Sequence, residues 1–326
     1  MNRTATSVAS TLASTCIIAA TAVCAQSYPA KPIRFLAPLP PGSAVDVVAR
    51  TLGDTVSKKI GQPFTVENRA GANTNISTDA CAKAAPDGYT ICLITYSISL
   101  NPHLYPKLPF DPVRDLAPIT NLVNTYDVLL MSAAVPANNL QELIAYSKTN
   151  PGKINFGSLG IGGAPHLIPD WMARQANVSW THVPYKGTGD IMQALLAGDL
   201  HLTYLTLGGP GTAANVKAGK LKVLFVYSKQ RHYLIPDVPT IAEAGVPDYG
   251  FQGWWGLAAP ARTSAEILGR LNAEFVLALR EPAVRDRFRS MGLEPVGNSV
   301  EEFTRYVAED QARGQRLVKA TGARLD

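Results

Sequence analysis

Two glycine-bearing turns, each leading from an apolar run into a helix, are where this sequence could do chemistry. The first is PLPPGSAVDVVAR, residues 38–50. Pro40 and Pro41 stiffen it, and Gly42 lets its backbone approach a ligand closely. Val45, Val48, Ala49, Leu52, Val56 and Ile60 then recur at helical spacing, which predicts a helix over 44–60 entered at Ser43. A helix entered this way offers unpaired N–H groups and the positive end of its dipole, an anion site made of backbone. The same residues also fit an ordinary strand-to-helix turn with Ser43 as N-cap, and Asp46 then complements the dipole or braces the loop. The second turn is INFGSLGIGGAPHL, residues 154–167, where Gly157, Gly160, Gly162 and Gly163 fall within seven residues beside Ser158. Such a run frees the backbone to wrap an anion, or makes a flexible surface loop.

Other chemistries fit these residues poorly. Counted from Gly160, the third glycine of a dinucleotide fingerprint would be Pro165, and no lysine-serine or lysine-threonine pair follows as in a phosphate-binding P-loop. There is no G-x-S-x-G elbow, and Ser158 has no base near it in sequence. His103 follows a proline in an irregular loop, and His166, in the first turn of its helix, suits packing or capping. No catalytic residues, cofactor or metal are expected. Tyr96, Tyr185, Tyr204, Trp171, Trp180, Trp254 and Trp255 could line a pocket or pack a core.

The elements that would position these turns alternate. Strand 33–39, helix 44–60, strand 64–66, helix 75–85 and strand 89–95 read as repeated βαβ units and parallel pairing. Residues 97–112 are proline-rich and too irregular for a core element. The apolar run 116–131 is long for one strand and is a candidate crossing into a second lobe. There the alternation restarts: helix 138–149, strand 154–156, helix 165–176, strand 181–185, helix 189–197, strand 200–206 and a short helix before Gly219. Run 221–228 is a candidate return crossing, followed by a strand near 254–258 and helices at 264–280, 282–290 and 300–320. The expected organisation is one domain of residues 26–125 plus 228–326 and another of 126–227, with a cleft between them suited to a small ligand.

At 326 residues, 46% apolar and 17% charged, the chain is globular and long enough for two domains. A formal charge of +5 without basic runs excludes a nucleic-acid surface. Arg3 precedes an uncharged stretch of small and apolar residues that ends Val23-Cys24-Ala25, which predicts an export signal at residues 1–25 cut after Ala25. Val23 and Thr15 stand where a lipidation motif at Cys24 or Cys16 would want a smaller residue. Nothing later is apolar for long enough to span a bilayer. Cys81 and Cys92 remain, an even pair in an oxidising compartment, either a disulfide or two buried thiols.

The mature chain resembles, nearly end to end, the Bordetella-uptake-gene-type periplasmic solute-binding proteins, receptors of tripartite tricarboxylate transporters. The residues that carry the resemblance are YPAKPIRFLAPLPPGSAVDVVAR (28–50), VENRAGAN (66–73), PDGYT (86–90), NPHLYPKLPFDPVRDLAPI (101–119), GSLGIGGAPHL (157–167), VPYKGTGD (183–190), PDVPTIAEAG (236–245) and WGLAAP (255–260). The resemblance implies an α/β, type II-like binding-protein fold. Each lobe is a mixed sheet flanked by helices, and two crossing strands join the lobes around the cleft. It also implies a monomer that closes on a small carboxylate and delivers it to large and small membrane subunits. The ligand contacts it implies are Pro40, Pro41, Gly42 and Ser43, with Asp46 bracing them, Thr95, Tyr96 and Ser97, and Ser158, Gly160, Gly162, Gly163 and His166. Ser43 stands where the family usually has a glycine, Ala72, Asn73 and Thr74 replace a glycine-rich run, and Gly163 and Ala164 occupy the neighbourhood of a common serine. Tyr96 and Tyr204 are particular to this sequence and expected near the cleft mouth, which makes an aromatic diacid such as a phthalate isomer an option beside aliphatic ones. A binding protein feeding a sensor kinase would need the same closure.

Overall fold

Ser43 starts its helix by the expected chemistry: its hydroxyl accepts the Asp46 N–H at 3.3 Å, and Gly61, left-handed at φ 71°, ends the helix. The computed structural model describes residues 28–209, 211–246 and 252–323; the signal segment, its cut after Ala25, Cys16 and Cys24 lie outside them. In chain order the elements are β1 (Ile33–Ala37), α1 (Ala44–Ile60), β2 (Phe64–Asn68), α2 (Asn75–Ala82), β3 (Thr90–Thr95), α3 (Ser97–Leu104) and β4 (Leu116–Thr125). There follow β5 (Asp127–Ser132), α4 (Leu140–Thr149), β6 (Ile154–Ser158), α5 (Ala164–Gln175), β7 (Trp180–Pro184), α6 (Thr188–Ala197), β8 (Leu202–Thr206), α7 (Thr212–Lys217) and β9 (Leu221–Val226). The last are β10 (Trp254–Pro260), α8 (Ala265–Arg280), α9 (Pro282–Ser290), β11 (Leu293–Pro295) and α10 (Val300–Thr321).

The strands form two mixed sheets, in the orders β11-β4-β10-β3-β1-β2 and β7-β6-β8-β5-β9. In the first, β1 runs parallel to β2 and β3, and β10 inserts antiparallel between β3 and β4. In the second, β6 is parallel to β7 and β8, and β5 lies antiparallel between β8 and β9. A strand arriving from the other lobe enters against the local βαβ direction, which turns parallel sheets into mixed ones.

The structure differs from the sequence reading at three places. The apolar run 116–131 is two strands, β4 and β5, that belong to different sheets and meet at Tyr126. The proline-rich stretch contains a buried helix, α3, whose Pro102 lies inside it and whose Leu100 and Leu104 are fully covered. Run 221–228 is not the return crossing. β9 is an edge strand of the second sheet, and Ile235, Ile241, Ala244 and Val246 pack into the cores of that sheet before the chain regains the first one at β10.

Among the described residues, α10 binds the lobes most visibly. Its Phe303 and Val307 pack with Trp254 under the first sheet, while Leu317 and Val318 pack with Leu167, Trp171 and Leu202 under the second. The Trp254 indole N–H donates to Asp310 Oδ2 at 2.8 Å. Gly314 presses against the carbonyl of Ser99 on α3 with no room for a Cβ. Cys81 on α2 and Cys92 on β3 are disulfide-bonded, with Cα atoms 6.0 Å apart.

Candidate ligand-binding cleft

Two adjoining cavities lie between the sheets. The first, about 390 Å³, is lined from the first lobe by Leu39, Pro40, Asn73, Thr95, Tyr96, Ser97 and Trp255. From the second lobe it is lined by Asp127, Leu159, Gly160, Gly163, Tyr185, Lys186 and Thr206, among others. Its neighbour, about 430 Å³, is lined by Pro40, Pro41, Gly42 and Ser43 opposite Lys186, Gly187, Thr188 and Asp190. Pro40, Lys186, Thr188, Leu205 and Thr206 face both.

The first turn is held by hydrogen bonds of its own. Asp46, buried, accepts from the Gly42 N–H at 3.0 Å and from Arg50 Nε at 3.0 Å through Oδ2, and from Asn68 Nδ2 at 2.9 Å through Oδ1. Asn68 Nδ2 also donates to the Leu39 carbonyl at 2.8 Å, which ties β2 to the turn. Burial works against the Asp46 charge, but the hydrogen bonds from Arg50, Gly42 and Asn68 outweigh it and hold the carboxyl below its ordinary range. The Gly42 N–H is therefore spent on Asp46, and that of Ser43 on the Pro40 carbonyl at 3.2 Å. With the Asp46 N–H already taken by Ser43 Oγ, an anion beside this turn would meet the Ala44 and Val45 amides, which have no intrahelical acceptor.

The second turn is also self-bonded. Gly160 N–H donates to Ser158 Oγ at 3.1 Å, Ser158 Oγ–H donates to the Gly160 carbonyl at 2.7 Å, and Gly162 N–H donates to His166 Nδ1 at 3.2 Å. His182 Nε2 lies 2.7 Å from Ser158 Oγ, and the His166 and His182 rings pack with centroids 4.2 Å apart. Ser158 Oγ thus joins the Gly160 turn to the His182 ring, and the imidazole tautomer sets which of the two donates across that contact. Burial, with His166 beside it, pushes His182 down to about 4; burial likewise lowers His166. Both rings are neutral near pH 7.

Of the residues expected to bind ligand, Pro40, Thr95, Tyr96, Ser97, Gly160 and Gly163 line the first cavity, and Pro41, Gly42 and Ser43 the second. Asp46, Ser158, Gly162 and His166 stand behind the lining as braces. Tyr204 is a correction: it is fully buried on β8 beside Phe225, because it shares the core-facing side of that strand with Leu202, whereas Leu205 and Thr206 at the strand end reach the cleft. Sequence reasoning missed Asn73, Asp127 and Lys186. Asn73 has a left-handed backbone, φ 50°, and its amide is fixed by Asn101 Oδ1 at 2.6 Å. Its Oδ1 sits against Gly163 of the other lobe, 2.9 Å from where a Cβ would be.

Two α/β lobes meeting over a cleft, with helix starts and side chains from both lobes aimed into it, define a solute-binding receptor. The family model described as tripartite tricarboxylate transporter family receptor matches residues 48–323. The protein BugT of Bordetella pertussis is 34% identical over 305 residues, 93% of each chain. Rpa4515 of R. palustris, solved with adipate, superposes with a TM-score of 0.85 at 30% identity, covering 91% of this chain and all of that one. MatC of Rhodopseudomonas palustris, solved with malate, gives 0.83 at 28% identity, over 89% of this chain and all of that one. The chain belongs to the tripartite tricarboxylate transporter receptor family, periplasmic solute-binding proteins and not enzymes. No helix among the described residues is long and apolar enough to cross a membrane.

Proposed function

We propose that this receptor captures a small dicarboxylate, aliphatic or aromatic, and hands it to the large and small membrane subunits of a tripartite transporter. Its mature form would begin at Gln26. The observation that carries this reading is Lys186, the one cation in the described lining of either cavity, placed where the two compartments meet. One carboxylate lies by the 40–43 turn and the start of α6, and the other in the first compartment between Asn73, Ser97 and the 160–163 turn. Leu39, Leu159, Leu205 and Trp255 supply apolar walls for the carbon skeleton between them. The adipate and malate held by two structural relatives are both dicarboxylates, which supports the choice. Only the closed lobes satisfy both ends, so ligand shifts the hinge toward closure.

A thermal-shift screen of mono-, di- and tricarboxylates tests it. A diacid at 100 times its Kd adds about 2.7 kcal/mol, a rise of several degrees, and the rise should vanish in Lys186→Gln. A protein free of copurified ligand that responds to no diacid would overturn the reading.

A further inference from the structure

Where the chain passes from one sheet to the other, a carboxyl group faces the first cavity with no cation paired to it. Asp127, the first residue of β5, is 5% exposed and lines that cavity with Tyr96, Leu205 and Trp255. Its Oδ1 lies 3.3 Å from Thr125 Oγ1, a long hydrogen bond, and the Gly253 backbone crowds its Oδ2 so closely that a Cβ there would clash. No ion pair among the described residues includes it. A carboxylate in this position has lost its hydration without a charged partner, and burial pushes Asp127 up to about 7 against the opposing Thr125 hydroxyl.

The titratable groups around it do not supply that partner. Tyr96, at the start of α3, is held neutral by burial and by Asp127 itself. Tyr227, just after β9, gives its backbone N–H to the Asp127 carbonyl at 2.8 Å. Tyr126 precedes it, with the His232 ring packed on Tyr126 at 4.4 Å. Lys186 belongs to the opposite loop and faces both compartments.

We propose that Asp127 is a specificity-determining residue of the cleft, meeting one carboxylate of the solute as an undissociated carboxyl and donating a hydrogen bond to it. This deepens the dicarboxylate reading and rests on it. Two carboxylates at contact distance in a site short of water cannot both stay ionised. One proton between them replaces repulsion by a charge-assisted O–H···O bond. Lys186 then neutralises one end of the dianion and the Asp127 proton serves the other. The balance is simple: the complex takes one proton from solvent, and no covalent bond of the solute changes.

The test is calorimetric titration of the mature protein with adipate, malate, succinate and terephthalate at pH 6.5, 7.5 and 8.5, where the diacids are dianions. For a group that must be protonated to bind, affinity falls roughly 20-fold across that range. At pH 8.5, buffers of different ionisation enthalpy should report uptake of close to one proton. Asp127→Asn, whose amide donates at every pH, should bind with no pH dependence and more tightly than the unaltered protein at pH 8.5. A pH-independent affinity in the unaltered protein would overturn the inference and leave the dicarboxylate reading standing. Affinity that rises with pH, lost in Asp127→Asn, would also overturn it, since an ionised Asp127 would then be accepting a donor of the solute. If none of the four diacids binds at any pH, the dicarboxylate reading fails and this one with it. Should the Asn variant fail to fold, proton uptake by the unaltered protein decides alone.

Discussion

Asp46 holds the first turn through hydrogen bonds to Gly42, Arg50 and Asn68, and its removal tests whether that turn is formed ahead of the ligand. Asp46→Ala removes the acceptor these three donors share and should cost about 2–3 kcal/mol of unfolding free energy at pH 7, measured in urea. The sign of the pH dependence follows from the lowered carboxyl. Its stabilisation is present above the ordinary carboxylate range and is lost as pH falls through the folded value, so the gap between variant and parent should narrow from pH 5 to pH 2. A gap that persists at pH 2 would mean that Asp46 acts through packing alone. The roles of Ser43 and Asp46 were legible in the sequence because a helix cap is local chemistry over four residues. Tyr204 was not, because both faces of a central strand are buried and only its end opens on the cleft. Asp127 did leave a signal, a lone acid inside the apolar run 116–131, but its meaning depends on the crossing there.

At the scale of elements, the bridge between Cys81 and Cys92 fastens α2 to β3 and so stands behind the 95–97 segment of the cavity wall. It closes a loop of 11 residues, for which chain entropy gives about 3 kcal/mol. Replacing both cysteines by serine should lower Tm by several degrees, and a reductant should do the same to the parent; an unchanged Tm would show that the pair contributes only packing. The sequence alone left open whether these thiols were bridged, since that depends on how α2 docks. Helix α3 escaped notice for a related reason. Pro102 and the prolines after it speak locally against a helix, and burial of Leu100 and Leu104 against the second lobe prevails. The helices 44–60, 264–280 and 300–320 were plain because their apolar periodicity is long and uninterrupted.

For the whole molecule, one approach of the two lobes across the cleft is Gly163 against Asn73. Gly163 has an ordinary backbone, φ −75°, so Gly163→Ala should leave Tm almost unchanged while its methyl holds the lobes apart. Solute affinity, read by calorimetry, should drop by roughly tenfold or more, equivalent to about 1.4 kcal/mol. Unchanged affinity would mean that the lobes hold the solute without bringing these two residues together. Two lobes and a cleft were readable from alternating elements. The late return of the chain at β10 and the reach of α10 across both lobes were not, since each depends on packing between segments far apart in sequence.

The most direct test of the account is calorimetry of the mature protein with one diacid and its half-amide. A two-ended cleft leaves a desolvated site facing a neutral group in the half-amide, so that compound should bind roughly 10–100-fold more weakly. Equal affinity for the two would contradict the account, because the second carboxylate would then go unrecognised.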